Sequence, residues 1–435
     1  MLATTLVSCL VITQPASAPI DVDEARVAFV EAKRLSDADG GALWGHALYG
    51  PMLFVEPRTR FVVANERDGE RVLRSAGGGL WSGTLPESIG VANTSVVWAG
   101  KRWSMVLWPL PEDPSWRGGL LMHESFHRLQ PEIGLNVAMT ENHHLDSAAG
   151  RRWMRMEWRA LADALASPTP LESEALRDAL VFRAYRQSLF KSARVEERAL
   201  ELFEGLAEYT GLRLSGLDAA AQWKRAIGGL HRYDRMPSFA RSFAYGSGPP
   251  YGLLLDRARP GWREHVDGSS DLGRMLRAAV GWRLPPRAQL EAEAERRSEA
   301  YGGAEVAAEE IARDDARQAR VAALRARFFD GPVLVVDLSG GTNYTFNPHD
   351  VHALDGLGTY YGTFRLAGPF GILEAPGGAL MIETKRGRRR VTVPLPNDRD
   401  RDTPPVAGPG WTLELAPRAT IGPGPREGDL IVKAD

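Results

Sequence analysis

The pattern of hydrophobic and polar positions predicts a sheet in the first part of the chain. Apolar residues recur at helical spacing over 25–36, and short runs rich in β-branched and aromatic residues follow at 52–55, 60–63, 95–98 and 103–108. Runs of this length and composition are typical of strands. They predict a short helix and then one twisted antiparallel sheet.

Helical spacing dominates the middle of the chain. The prolines at 109, 111 and 114 end the predicted sheet, and a helix is expected from about 118 to 130, where Pro131 stops it. The pattern is helical again over 149–212. A third helical block over 286–329, broken at Gly302-Gly303, is rich in Ala, Glu and Arg and reads as a connector with a solvated, charged face.

The composition changes beyond residue 330 towards Gly, Pro, Val and Thr. Short alternating runs such as 333–338 and 411–415 predict a β-sandwich-like module over 330–435. The expected fold class is therefore α+β, with a first domain over 19–285, a helical connector over 286–329 and a C-terminal all-β module.

Charge argues against a polyanionic partner. The chain carries 53 basic and 55 acidic residues, a net charge of −2. Without an overall positive field, neither a nucleic acid nor an anionic membrane surface is an expected partner. The basic run at 385–390 is interpreted as a charged turn between two strands, and nothing after the first 18 residues is long and apolar enough to cross a bilayer.

The first 18 residues resemble a signal peptide. An apolar run is followed by Ala16-Ser17-Ala18, which has the small-residue pattern of a cleavage site. We therefore expect a secreted or periplasmic protein. Cys9, the only cysteine, also lies in a lipobox-like sequence, so a lipid anchor is a second interpretation. In either case the mature protein would have no disulfide.

The chemistry centres on His123-Glu124-Ser125-Phe126-His127. On a helix this spacing puts two imidazoles on one face, where both reach one zinc ion, and places Glu124 beside them to accept a proton from water. The expected cofactor is one Zn²⁺ per chain. The alternative is a chance pair of buried histidines.

A third zinc ligand is expected downstream, within 202–209. On a wheel at 100° per residue, Glu204 lies at the inner edge of an apolar arc, whereas Glu201 and Glu208 point towards solvent. Gly205 would let this helix approach the histidine-bearing helix closely.

Two other acids are alternative third ligands. Asp146 follows the motif at a shorter separation, next to His143 and His144, which are expected in a polar loop near the cleft. Glu157 falls on the apolar side of its helix and needs a partner, either a ligand histidine or an arginine.

The His-Glu-x-x-His motif followed by Glu204-Gly205-Leu206-Ala207 resembles the gluzincin zinc peptidases. The resemblance is confined to motifs within 118–256. It implies a zincin-like catalytic domain, built from an antiparallel sheet and a helical subdomain, with His123, His127 and Glu204 as ligands and Glu124 as base.

The segment beginning at Tyr245 resembles the Tyr-x-x-Gly segment of gluzincin aminopeptidases. By that resemblance Tyr245 would stabilise the oxyanion, with Tyr251 as the alternative. The segment by which those enzymes bind a free α-amine is missing, so aminopeptidase specificity is not expected.

The expected function is zinc-dependent hydrolysis of peptide bonds in a peptide or protein substrate. The alternative is a non-catalytic zinc-fold protein that binds an extracellular partner, although such a protein has no need of Glu124. A serine hydrolase is not expected, because Gly246-Ser247-Gly248 does not form a nucleophile elbow. The oligomeric state is left open.

Overall fold

The computed structural model describes most of the chain. The described residues are 19–86, 89–137, 142–338, 342–347, 350–354, 357–383, 388–396 and 405–434. The predicted signal peptide, Cys9 and part of the predicted charged turn lie outside them. The chain forms two compact units, one reaching to Glu310 and the other beginning at Ile311.

Helix α1 (Val22–Asp39) opens the first unit. The Asp21 side chain accepts hydrogen bonds from the backbone N–H groups of Asp23 and Glu24, so it caps the first turn. The helix is therefore longer than the predicted 25–36, and it buries a stripe that includes Phe29.

A six-stranded sheet follows α1. Its strands are β1 (Met52–Val55), β2 (Phe61–Ala64), β3 (Arg74–Gly77), β4 (Leu80–Thr84), β5 (Thr94–Trp98) and β6 (Lys101–Leu107), in the spatial order β3-β4-β2-β1-β6-β5. The prediction of an all-antiparallel sheet is wrong, because β1 and β6 pair in parallel. The chain completes β2 to β5 before β6 returns beside β1 in the same direction.

The two faces of this sheet are both buried. Met52 and Phe54 of β1 belong to the main core of the unit, whereas Leu53 and Val55 belong to a smaller core on the other face. This alternation is the period-two pattern of a strand covered on both sides. The main core also contains residues from α1 and from most of the later helices, so these helices pack on the face of the sheet that Met52 and Phe54 occupy.

After the sheet, the described chain continues with helices α2 to α11. They are α2 (Pro114–Leu129), α3 (Ala148–Ala166), α4 (Glu174–Leu189), α5 (Ala193–Leu200), α6 (Leu206–Arg213), α7 (Ala219–Tyr233), α8 (Phe243–Ala258), α9 (Leu272–Ala279), α10 (Leu290–Ser298) and α11 (Gly303–Arg325). A π-helical turn, Glu201–Gly205, joins α5 to α6.

Helix α2 begins one turn before the predicted position 118. Asp113 accepts hydrogen bonds from the backbone of Ser115 and Trp116, and Pro114 occupies the first turn. A proline is tolerated there because the first N–H groups of a helix have no intrahelical partner. Pro114 therefore starts this helix, although we expected it to belong to the end of the sheet.

Glycines set how closely α2 and α6 approach. A Cβ atom on Gly211 of α6 would lie 2.5 Å from the carbonyl oxygen of Gly119 and 3.3 Å from Cβ of His123. The prediction that Gly205 makes this approach is wrong. Gly205 instead faces α8, where its Cβ would lie 3.2 Å from the carbonyl oxygen of Ala244.

The first unit extends into the segment that was expected to be a connector. Glu310 is buried and pairs with Arg151 and Arg155 of α3 at 2.7 and 2.9 Å. These ion pairs attach the first part of α11 to the helical layer. Within the described part of the chain, no helix is both long and apolar enough to cross a bilayer.

The second unit is rich in strands. They are β7 (Val333–Asp337), β8 (Asn343–Phe346), β9 (Val351–Leu354), β10 (Gly358–Tyr361), β11 (Phe364–Gly368), β12 (Gly371–Ala375), β13 (Ala379–Glu383), β14 (Arg389–Pro394), β15 (Ala407–Gly408), β16 (Trp411–Leu415), β17 (Thr420–Pro423) and β18 (Leu430–Lys433). They form a seven-stranded and a five-stranded sheet. One core contains Val391 of the first sheet and Leu366 and Trp411 of the second, so the two sheets pack together.

Candidate metal centre

Helix α2 brings the two motif histidines together. His123 and His127 lie one turn apart, and both are at most 6% exposed. Their Nε2 atoms are 3.0 Å apart. Because residues i and i+4 share a helix face, the two rings point into the same space.

The other nitrogen of each ring is held by an acceptor. Nδ1 of His123 lies 3.1 Å from Oε2 of Glu208, and Nδ1 of His127 lies 2.8 Å from Oε1 of Gln130. Gln130 is itself fixed, since its amide donates to the backbone carbonyls of Leu202 and Phe203. An acceptor at Nδ1 holds a proton on that nitrogen and turns Nε2 towards the position that a metal would occupy, where the metal would displace any proton on Nε2.

Glu204 completes the cluster from the π-helical turn before α6. Its Oε2 atom lies 3.4 Å from Nε2 of His123 and 3.3 Å from Nε2 of His127. This oxygen is buried and makes no hydrogen bond to any described residue. The three ligand atoms all lie within 4.8 Å of one another.

The donor set fits a zinc ion. Tetrahedral zinc with metal–nitrogen bonds of about 2.0–2.1 Å places its ligand atoms about 3.3 Å apart, close to the spacing found here. Two imidazole nitrogens and a carboxylate oxygen are ligands that zinc prefers, and three protein ligands leave one coordination position open. The buried Oε2 of Glu204 would gain a partner.

The electrostatics of the cluster favour positive charge. Burial disfavours the imidazolium form of His123, but the carboxylates of Glu204 and Glu208 outweigh burial and raise its pKa to about 10. Burial likewise opposes ionisation of Glu204, yet the two histidines and Tyr245 hold its pKa well below the usual range. Glu204 is therefore ionised at neutral pH.

Glu124 lies beside the histidines and is 3% exposed. Its Oε1 atom is 4.0 Å from Nε2 of His123, and its Oε2 atom makes no hydrogen bond to any residue that the structure describes. Burial raises the pKa of this carboxyl group, against the opposing effect of the two histidines. A carboxylate with a raised pKa accepts a proton more readily.

Helix α8 contributes Tyr245. Its ring stacks on His123 with centroids 5.8 Å apart. Burial, followed by the negative charge of Glu204, raises its pKa well above the usual range. The hydroxyl therefore keeps its proton and can donate a hydrogen bond.

A cleft of about 600 Å³ opens over the cluster. His123, Glu124, His127, Glu204 and Tyr245 all line it. Asn93, Thr94, Trp116, Leu120, Arg232 and Tyr233 contribute to its other walls. Strand β5, to which Thr94 belongs, is an edge strand of the sheet. A ligand in the cleft would thus lie beside both the three candidate ligand atoms and a strand edge.

The alternative third ligands lie elsewhere. Asp146 accepts hydrogen bonds from the Ser238 hydroxyl and the Phe239 backbone N–H, both at 2.7 Å. Glu157 is fully buried and pairs with Arg186 and Arg183, so of the two expected kinds of partner it has the arginine and not a ligand histidine. Neither acid belongs to the metal-binding group found among the described residues.

Tyr251 and His144 are structural rather than cleft residues. The hydroxyl of Tyr251 is buried and donates to Oε1 of Glu157 at 2.7 Å. Nε2 of His144 lies 3.0 Å from Oε1 of the buried Glu197. Neither residue lines the cleft, and nor does His143.

Two predicted side-chain directions are wrong. Glu201 is fully buried and pairs with Arg183 through two contacts of 2.6 Å. Glu208 turns towards His123 instead of solvent. Glu208 could have been found from its spacing, since it follows Glu204 by four residues, as His127 follows His123.

Comparisons of the chain with protein-family models, with curated proteins and with solved structures find no match.

Proposed function

We propose that the protein is a secreted or periplasmic zinc-dependent hydrolase, a peptidase of the gluzincin type that holds one zinc ion through His123, His127 and Glu204. The observation that carries the proposal is the convergence of these three ligand atoms beside a buried, unpaired oxygen of Glu124. A structural zinc site uses four protein ligands, whereas three ligands beside a base are typical of a catalytic site.

The residues around the ion have distinct roles in this proposal. When bound, zinc would lower the pKa of a water molecule and polarise the scissile carbonyl. Glu124 accepts the proton of the attacking water and passes it to the leaving amine. Tyr245 donates a hydrogen bond to the developing oxyanion. Glu208 and Gln130 contact the Nδ1 atoms of His123 and His127 and so hold the two imidazoles in position.

The edge strand supports a peptide as the substrate. Among the strands that the structure describes, β5 pairs with β6 alone, which makes β5 an edge strand. An extended peptide can add to such an edge through backbone hydrogen bonds. Asn93, directly before β5, and Thr94, the first residue of β5, line the same cleft as Glu124, so a peptide bound there would pass over the base.

The test is hydrolysis of a mixed peptide library by the purified protein, with Glu124→Gln and Tyr245→Phe beside it. We expect zinc-dependent cleavage that Glu124→Gln abolishes while it still binds zinc. Tyr245→Phe should lower kcat by about 10²-fold, the effect of removing one oxyanion donor.

Two outcomes would contradict this scheme. An active Glu124→Gln protein would exclude Glu124 as the base. Peptides that bind the wild type with zinc but are never cleaved would favour the non-catalytic binding protein.

A further inference from the structure

A second cavity in the first unit concentrates positive charge. It has a volume of about 510 Å³ and lies among α4, α5, α9 and α10. Six basic side chains line it, and Asp271 is the single acidic one; the basic residues are Arg183, Lys191, Arg194, Arg274, Arg277 and Arg287. None of its lining residues also lines the cleft over His123, His127 and Glu204, hereafter the metal cleft.

The basic residues divide into a buried one and an outer group. Arg183 is 3% exposed, and Glu201 neutralises its charge through two hydrogen bonds of 2.6 Å. The other five make no ion pair with any residue that the structure describes; they are Lys191, Arg194, Arg274, Arg277 and Arg287. The protein as a whole has a net charge of −2, so this is a local excess.

Like charges gathered around one cavity repel one another, which costs stability unless an anion is bound. Several of the other arginines in the same unit are paired with acids, as Arg186 is with Glu197. The two buried charged residues of its wall, Arg183 and Asp271, already pair with each other at 3.4 Å, so the unpaired charge belongs to the outer group. Arg277 of the outer group is half-buried and the other four residues are exposed, so the group lies at the open side of the cavity, where an anion can reach it.

The shape and lining of the cavity indicate the class of ligand. A volume of about 510 Å³ is in the range of small-molecule sites. Leu180, Phe190 and Leu284 provide an apolar wall beside the basic residues. Guanidinium groups bind phosphate oxygens through paired hydrogen bonds, and several can surround one tetrahedral anion from different directions.

We propose that this cavity is a binding site for a small phosphorylated organic molecule with at least two negative charges. The proposal is independent of the zinc chemistry, because the two cavities share no lining residue. The phosphate groups would contact the outer arginines, and the organic part would lie against the apolar wall.

The test is isothermal titration of the full chain with pyrophosphate at constant ionic strength. We expect saturable binding at one site per chain, weakened about tenfold or more in Arg274→Gln/Arg277→Gln through loss of charge-assisted hydrogen bonds. The matched control is Arg34→Gln/Arg241→Gln, whose wild-type side chains are exposed and line neither the basic cavity nor the metal cleft. It should bind like the wild type.

Four further measurements make the result decisive. Pyrophosphate affinity of the wild type should fall as chloride is added, since the contacts are between charges. Citrate, an anion built from carboxylates, should bind more weakly. The melting temperature and the zinc content should be the same in both double variants, which separates an effect on this site from an effect on the metal cleft. If Arg274→Gln/Arg277→Gln fails to fold, Arg287→Gln replaces it.

The proposal would be overturned by any of three results. These are no saturable binding of pyrophosphate, equal affinity in the cavity variant and the control, or tighter binding of citrate than of pyrophosphate.

Discussion

Replacing Glu208 with alanine should weaken zinc binding although Glu208 is not a ligand. Its Oε2 atom lies 3.1 Å from Nδ1 of His123, the ring nitrogen opposite the proposed zinc ligand atom Nε2. Without this acceptor the buried Nδ1–H loses its partner, and the ring can rotate or change tautomer. Both effects lower the fraction of molecules with Nε2 ready to bind.

The size of the effect follows from the exposure of the contact. Loss of such an outer partner typically costs 10- to 100-fold in metal affinity, or about 1.4–2.7 kcal/mol. The side chain of Glu208 is 29% exposed, so solvent screens part of the interaction. We therefore expect a loss near tenfold for Glu208→Ala. Glu208→Gln keeps an acceptor oxygen and should lose about threefold or less.

The assay is competition for zinc against a fluorescent chelator at neutral pH, with both variants and the wild type. Circular dichroism should show that all three are folded. Equal zinc affinity for Glu208→Ala and the wild type would refute the claim that this carboxylate holds His123 in place.

Three further predictions concern stability. Arg186→Met should lower the free energy of unfolding, measured in urea, by about 3–5 kcal/mol, because the fully buried carboxylates of Glu157 and Glu197 lose the cation that they share. An unchanged free energy of unfolding would contradict a stabilising role for the ion pairs of Arg186. Burial opposes ionisation of Glu197, but Arg186 holds the pKa of this carboxyl group well below its ordinary value of 4.5. The stabilising effect of the ionised carboxylate is therefore present above pH 4.5 and is lost progressively below it, and Glu197→Gln should flatten this acid-side dependence of the unfolding free energy. Gly211→Ala should cost about 1–3 kcal/mol because its Cβ would overlap the backbone of α2, whereas Gly228→Ala in α7, with nothing within 4 Å, should be neutral or stabilising; equal unfolding free energies would contradict the close packing.

The sequence was informative about elements with strong local patterns. The His-Glu-x-x-His spacing placed two imidazoles on one helix face, and the structure brings Glu204 to them as the sequence suggested. The strand-rich character of the second unit was also visible in its composition. The order in which the strands of this unit pair was not visible in the sequence, because the partner of a strand depends on the path of the whole chain.

The errors near the site have a local physical cause. The helical wheel assumed an uninterrupted α-helix, but Glu201–Gly205 form a π-helical turn. A π-helical turn adds one residue, which rotates the preceding side chains by about 100° relative to α6. Glu201 therefore turned inward to Arg183 instead of outward. Contacts such as Gln130 with His127 depend on tertiary packing and carried no sequence signal.

The most direct test of the zinc site is the metal content of the purified wild-type protein and of Glu204→Ala, measured by mass spectrometry. We expect about one zinc ion per wild-type chain, consistent with a three-ligand site, and its loss or marked weakening in the variant. Full zinc retention in Glu204→Ala, or a wild-type protein that binds no zinc, would contradict the proposed site.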